Sequence, residues 1–240
     1  MQAHKVVSRE KWFETQKAFL AREKEITHLR DKLNEERLAL PWVKVDREYS
    51  FETREGRKML AELFGGRSQL LIYHFMLGPG WQAGCPGCSF LADHFDGTLP
   101  HLNNHDVSFV AVSRAPLAEI EAYKKRMDWH FPWVSSGGTD FNYDFGVSFT
   151  PEDLKSGEAT YNFGTIPSEA LGEEQPGFSA FQLAENGEVF HTYSSFSRGL
   201  EETLGTYMLL DRAPKGRNET GTMSWVKRHD EYGVAPAADD

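Results

Sequence analysis

The sequence predicts an α/β fold, on three observations. An apolar run, Gln69-Leu70-Leu71-Ile72-Tyr73-His74-Phe75-Met76-Leu77, reads as a buried strand. A second such run, Val107-Ser108-Phe109-Val110-Ala111-Val112-Ser113, follows after a helical stretch, and a third, shorter one at Phe131-Pro132-Trp133-Val134 follows a second helix. Near the C-terminus, Phe178-Ser179-Ala180-Phe181-Gln182-Leu183 and Val189-Phe190-His191-Thr192-Tyr193 flank Asn186-Gly187, a strong hairpin signal. A βαβαβ alternation implies right-handed crossovers and parallel strands. Parallel βαβ, then an antiparallel hairpin and a last helix, matches a thioredoxin-like fold.

Residues from about Ser8 to Leu38 read as one long charged helix. Ser8 caps its start, no Gly or Pro interrupts it, and Pro41 stops it. Phe19, Ile26, Leu29 and Leu33 fall near one face, roughly continued by Trp12 and Gln16, so the helix either lies along its own domain or uses this narrow seam to form a homodimer through residues 8–38. Beyond Pro41, Trp42-Val43-Lys44-Val45 and Tyr49-Ser50-Phe51 alternate as short strands, and Arg57 to Phe64 reads as a short helix ended by Gly65-Gly66. Pro116 opens the helix from Leu117 to about Met127. Residues 135–175, rich in Gly, Ser, Thr and Asp, read as an irregular insertion with one short strand at Phe145 to Phe149. A final helix is expected from about Leu200 to Leu210. The resulting organisation is an N-terminal helical extension at 1–40, a thioredoxin-like domain at 41–213, and a polar C-terminal tail at 214–240 with aromatics at Trp225 and Tyr232.

Composition narrows the function. With 240 residues, 40% hydrophobic, the chain can build a core without disulfide staples. The net charge of -10 and the lack of any basic, aromatic-interleaved stretch argue against nucleic-acid binding. No apolar run approaches the roughly 20 residues of a membrane helix, and the charged N-terminus has no secretory pattern. A cytoplasmic location is therefore expected.

The chain has only two cysteines, and they stand together as Cys85-Pro86-Gly87-Cys88. A C-x-x-C between a predicted strand and Ser89-Phe90-Leu91-Ala92-Asp93-His94-Phe95, a predicted helix, is the context of a redox dithiol. With Cys85 at the N-cap and Pro86 at the first helical position, the free amides of Gly87 and Cys88 and the helix dipole favour a thiolate on Cys85. Cys85 is then the nucleophile. Cys88, more buried and higher in pKa, is the resolving thiol. No cofactor is expected beyond a Cys85–Cys88 disulfide. A zinc site needs about four ligands, and His94, His101 and His105 are separated by Gly97 and Pro100. The expected partner is a thiol or disulfide, or a small-molecule oxidant.

Further candidates surround the dithiol. Pro176, ahead of the hairpin, is placed to face it, with Pro167 the other option. Trp81 lies four residues before Cys85, Arg114 could stabilise a thiolate or an acidic substrate group, and Asp93 and His94 could move protons. Pro86, Gly87, Trp81, Pro176 and Arg114 together make the candidate substrate-binding set. A peroxiredoxin-like peroxidase is the alternative reading, but that pattern wants Pro and Thr/Ser seven and three residues before the cysteine. Before Cys85 those positions hold Gly78 and Gln82. A non-enzymatic binding protein that dimerises through the N-terminal helix is the third.

Several stretches resemble a bacterial thioredoxin-like family. They are Leu40-Pro41-Trp42-Val43, Tyr73-His74-Phe75-Met76, Gly84-Cys85-Pro86-Gly87-Cys88-Ser89, Val110-Ala111-Val112-Ser113-Arg114-Ala115-Pro116, Phe131-Pro132-Trp133-Val134-Ser135-Ser136, Asp140-Phe141-Asn142-Tyr143-Asp144 and Arg228-His229-Asp230-Glu231-Tyr232. That family is catalogued as domain of unknown function 899 and described as predicted dithiol–disulfide oxidoreductases. The resemblance covers nearly the whole chain and implies that 140–144 and 228–232 are family features, lining the dithiol cleft or capping loops. It supplies no substrate.

Overall fold

The computed structural model describes residues 4–233. The first three residues of the predicted N-terminal extension and the last seven of the predicted tail lie outside the described residues. Contacts divide the chain into two units that meet between Trp42 and Val43. The first is α1 (Arg9–Leu38), capped by the Ser8 side chain, which accepts from the Lys11 amide. None of its residues is buried. Phe13 and Leu20 are exposed alongside Trp12, Phe19, Ile26, Leu29 and Leu33, so the apolar stripe is wider than the predicted seam.

The second unit is built on an eight-stranded sheet of order β1-β10-β9-β4-β5-β6-β2-β3. Its strands are β1 (Val43–Lys44), β2 (Ser50–Thr53), β3 (Gly56–Met59), β4 (Gln69–His74), β5 (Val107–Ser113), β6 (Trp133–Ser135), β9 (Gly177–Leu183) and β10 (Val189–Phe196). β4, β5 and β6 are parallel, while β9 lies antiparallel beside β4 and pairs with β10. The crossovers carry α2 (Pro86–Ala92) and α3 (Leu99–Asn104) between β4 and β5, and α4 (Leu117–Arg126) between β5 and β6. This is the predicted thioredoxin-like arrangement, with the dithiol at the start of the helix that follows β4.

Three expectations are corrected. Arg57 to Phe64 is not one helix: Gly56, at φ +109°, turns the chain into β3, and only Leu60–Phe64 coils, as a 3-10 turn. The Thr53 hydroxyl closes that hairpin by donating to the Gly56 carbonyl at 2.7 Å. In the insertion, Phe145 to Phe149 forms no strand but a single bridge, Ser148 to Glu174. Its apolar residues plug two cores instead. Phe145 packs on Phe141, and Val147 and Phe149 join Tyr161 and Phe196 in a small cluster. The insertion holds α5 (Phe141–Asp144), α6 (Pro151–Lys155) and a hairpin of β7 (Glu158–Tyr161) and β8 (Gly164–Pro167). That turn runs through Asn162 and Phe163, both at positive φ without a glycine between them, so no turn signal marked it. Finally, the last helix is broken at Leu204 into a 3-10 turn, Ser197–Thr203, and α7 (Gly205–Leu210).

Strand alternation assigns the two faces of the sheet. Tyr73, Phe109 and Ala111 point into an aromatic core with Phe75, Cys88, Phe95, Trp129, Phe131 and Trp133. Leu70, Ile72, Val110 and Val112 point into the other, with Phe51, Phe64 and Phe141. On that second side lies a buried polar chain. His74 Nε2 meets the Ser179 hydroxyl at 2.8 Å, Ser179 meets Ser194 at 2.9 Å, and Ser194 meets His191 Nε2 at 2.7 Å. His74 also stacks on Phe141 and Phe145.

Burial pushes the His74 pKa down from 6.5 to about 3, with His191 adding to the effect. The folded state therefore holds His74 neutral where the unfolded chain binds a proton, and stability falls as pH drops below about 6.5. Between pH 7 and pH 5 the loss due to His74 is about 2 kcal/mol. Urea midpoints across that range are expected to fall in the wild type and to fall less in His74→Gln. Equal slopes in the two proteins would show that His74 does not titrate this way.

Candidate functional site

Cys85 is the N-cap of α2, and Pro86 holds the first turn, where its missing amide hydrogen leaves nothing unbonded. The chain reaches this cap from β4 through the turn at Gly78–Trp81. The Cys85 amide then donates to the Met76 carbonyl at 3.1 Å, tying the cap back to the strand end. The Ser89 amide and hydroxyl both donate to the Cys85 carbonyl at 2.9 Å, and the Ser89 and Tyr123 hydroxyls meet at 2.8 Å. Gly84 is required by close packing. A Cβ there would lie 2.4 Å from the Phe75 ring and 2.8 Å from Tyr123.

Both cysteines are free thiols, Cys85 half-buried and Cys88 buried. The Cys85 thiol is lowered from 9.0 to about 6, chiefly by a hydrogen bond from the Cys88 side chain; the amides of Cys88 and Gly87 and the charge of Arg228 add to this against the cost of burial. The Cys88 thiol is raised well above 9.0 by burial first, then by its hydrogen bond to Cys85 and by the negative charge of Cys85. The Tyr73 hydroxyl, buried below, hydrogen-bonds Cys88 and partly offsets that rise. One sulfur is thus held as a thiolate near neutral pH while its neighbour keeps its proton.

Beside the pair lies a cavity of about 190 Å³, lined by Cys85, Cys88, Tyr73, Pro176 and residues of the C-terminal segment. Pro176 lies at the cavity wall, ahead of β9. All peptide bonds among the described residues are trans. Trp81 does not reach the cavity. Its indole packs over Gly78, where a Cβ would meet it at 2.9 Å.

Arg114 is also elsewhere. Its guanidinium bonds Glu174 at 2.6 Å and the Tyr143 hydroxyl, and Glu174, 1% exposed, also accepts from Ser148 at 2.7 Å. Asp93 accepts from the Trp129 indole at 2.8 Å and meets His229 at 2.7 Å. His94 Nε2 accepts from the Thr206 amide at 3.0 Å, capping α7. Both side chains serve as joints between elements.

The arginine near the dithiol is Arg228. It donates to the Gly84 carbonyl from Nε at 2.9 Å and from Nη2 at 2.6 Å. It is held by Glu231 at 2.8 Å, while Arg126 of α4 binds Asp230 at 2.7 Å and Glu231 at 3.1 Å. The described part of the predicted tail is therefore packed across α2, with Trp225 edge-on to Phe90. The stretch 140–144 sits in the other core: Asp144 takes bonds from Arg47 at 2.5 Å and Tyr49 at 2.6 Å. Met223 and Leu204 carry no local sequence signal. Arg228 was legible only through the resemblance of its motif.

The family model described as bacterial protein of unknown function (DUF899) matches residues 1–232. The chain belongs to that family. No curated protein matches it. Among solved structures, this DUF899 chain is similar to peroxidoxin BcpB from Mycobacterium tuberculosis, with 16% identity over 70% of this chain and 95% of that one and a TM-score of 0.44. It is also similar to peroxiredoxin Q of Xanthomonas campestris, at 16% identity, 67% and 89% coverage and a TM-score of 0.44. The mitochondrial 2-Cys peroxiredoxin of Plasmodium falciparum gives 12%, 71% and 94%, and 0.40. Among the described residues, no group of three or more His, Cys, Asp or Glu side chains is placed to hold a metal ion, and no helix is long and apolar enough to cross a membrane.

Proposed function

We propose that this protein is a thiol–disulfide oxidoreductase that works through Cys85 as nucleophile and Cys88 as resolving thiol, cycling between the dithiol and a Cys85–Cys88 disulfide. The observation that carries the reading is the placement of the pair, Cys85 half-buried at the N-cap of α2 and Cys88 buried three residues on, which lowers the Cys85 thiol to about 6 and raises that of Cys88. Disulfide exchange needs this division: a thiolate to attack, and a protonated partner three residues away to resolve the mixed disulfide. Gly78 and Gln82, where a peroxidase pattern wants Pro and Thr/Ser, favour exchange over peroxide reduction. The partner is a thiol or disulfide.

The thiolate, not the thiol, is alkylated, so the pH dependence of iodoacetamide labelling reads the Cys85 pKa. The rate is expected to rise through a midpoint near pH 6 and to level off above it, with one residue labelled. Mild oxidation of the folded protein should leave no free thiol. Two free thiols after oxidation, or a labelling midpoint near 9, would overturn the reading.

A further inference from the structure

The cavity beside the thiolate says what kind of molecule reaches it. Its walls are Tyr73, Leu91, Pro176, Leu200, Leu204 and Met223. Two charged side chains also line it, Arg198 and Glu201, and they are paired with each other at 2.9 Å. Arg217 approaches Glu201 at 3.5 Å and is bound to Asp211 at 2.8 Å. The two charges on the cavity wall are thus paired with each other. At about 190 Å³ the space exceeds the roughly 150 Å³ apolar cavity that holds a benzene molecule.

The outer wall is built rather than incidental. Met223 stands at φ +60°, a left-handed conformation costly for a residue with a side chain. It is held there by its amide, which donates to the Tyr207 hydroxyl at 3.1 Å and to Glu219 at 3.2 Å. The same Glu219 oxygen also accepts from Tyr207 at 2.9 Å and from the Trp225 indole at 3.1 Å. This brings the Met223 sulfur to 3.1 Å from where a Cβ on Gly87 would stand, a point 3.8 Å from the Cys85 sulfur. Ser197, also on the cavity wall, is a second non-glycine residue at positive φ, +49°. A protein disulfide approaches an attacking sulfur on an open surface. Here Met223 stands against Gly87 beside that sulfur and forms one wall of an apolar recess the size of one ring.

We infer that the substrate is a low-molecular-weight organic disulfide whose apolar, ring-sized substituent seats in this cavity while its sulfur meets Cys85. The inference rests on the dithiol reading above and adds the substrate class. In the reaction the Cys85 thiolate bonds to one sulfur of R–S–S–R, the S–S bond breaks, and the departing thiolate takes a proton. Cys88 then loses its proton, bonds to the Cys85 sulfur and releases the second R–SH. The substrate gains two electrons and two protons, the cysteine pair becomes a disulfide, and a thiol reductant restores it.

The test measures oxidation of the reduced full-length protein by two symmetrical disulfides with similar alkyl thiol leaving groups, dibenzyl disulfide and bis(2-hydroxyethyl) disulfide. Each buried methylene is worth roughly fourfold, so a partly seated ring predicts at least a tenfold faster second-order rate for the benzyl compound. Thr222→Trp, at the exposed rim of the cavity, and Met223→Gly, which removes the strained wall, should each bring that ratio toward one, whatever they do to the hydroxyethyl rate. A ratio near one in the wild type, a ratio that neither variant moves, or a protein disulfide that reacts faster than both compounds overturns the inference while the dithiol reading stands. Failure of every disulfide to oxidise the pair overturns the dithiol reading itself.

Discussion

Cys88→Ser is expected to stop the proposed reaction after its first step, leaving a stable adduct of one R–S group on Cys85. Cys88 is 3% exposed and its thiol is raised first by burial and then by its bond to Cys85 and the Cys85 charge. Once Cys85 is bonded to the substrate that charge is gone. The bonds from the Tyr73 hydroxyl and the Met76 backbone, which lower the Cys88 pKa, are then opposed by burial alone. The resolving thiol is thus activated by the event it must follow. A well-oriented intramolecular nucleophile can be equivalent to ~10⁵ M or more of an external one, so turnover with millimolar thiol as the only resolver should drop by at least ~10³-fold. Mass spectrometry of the variant should find one added R–S group, stable over hours. Cys85→Ser should give no adduct at all, and turnover of Cys88→Ser at the wild-type rate would remove Cys88 from the mechanism.

The lowered Cys85 pKa has a smaller kinetic effect than its size implies. Moving the thiol from 9.0 to about 6 raises the thiolate fraction at pH 7 from about 1% to about 90%. Nucleophilicity falls with pKa at a Brønsted slope of about 0.4–0.5, which takes back roughly 15- to 30-fold over three units. The net gain on attack is only a few-fold. A stable Cys85 thiolate is worth more as a leaving group when a reductant reopens the disulfide, since a lower-pKa thiol leaves faster.

How far the chain could be read follows from the range of the interactions involved. β5 is legible to the residue because a buried strand writes seven successive apolar or small residues into the sequence, Val107–Ser113. The N-cap at Cys85 is equally local, since Pro86 marks the first helical position. The hairpin after Thr53 and the one through Asn162 and Phe163 were missed because their turns depend on a single glycine or on none. The cavity's outer wall was illegible for a different reason. Met223 lies 138 positions after Cys85 and is fixed by Glu219, Tyr207 and Trp225. A polar segment with two aromatics reads as a solvated tail until Arg126, Arg228 and Asp93 are seen to hold it. Arg114 shows the converse. A lone arginine after a strand near a dithiol invites a role at the thiolate, but its partner, Glu174, lies sixty residues on in the insertion.

Arg114→Met is therefore expected to act on stability and not on the thiolate. Glu174 is buried, and its carboxyl is raised by that burial even with Arg114 beside it. Removing the guanidinium leaves a buried carboxylate with only the Ser148 hydroxyl at 2.7 Å, a loss of about 3–5 kcal/mol at neutral pH. The carboxyl can escape by taking up a proton, and losing Arg114 raises its folded pKa further above the unfolded value. The folded state then binds more protons than the unfolded one, so stability is lost as pH rises and recovers as it falls. The urea midpoint of Arg114→Met should consequently lie far below wild type at pH 8 and approach it toward pH 5. Glu174→Gln added to Arg114→Met should remove most of that pH dependence, because no group is left to ionise. Iodoacetamide labelling of Cys85 should keep its midpoint near pH 6 in both variants, since the charge that acts on that sulfur is Arg228. A labelling midpoint displaced toward 9 in Arg114→Met, with an unchanged urea midpoint, would return Arg114 to the thiolate and take it from Glu174.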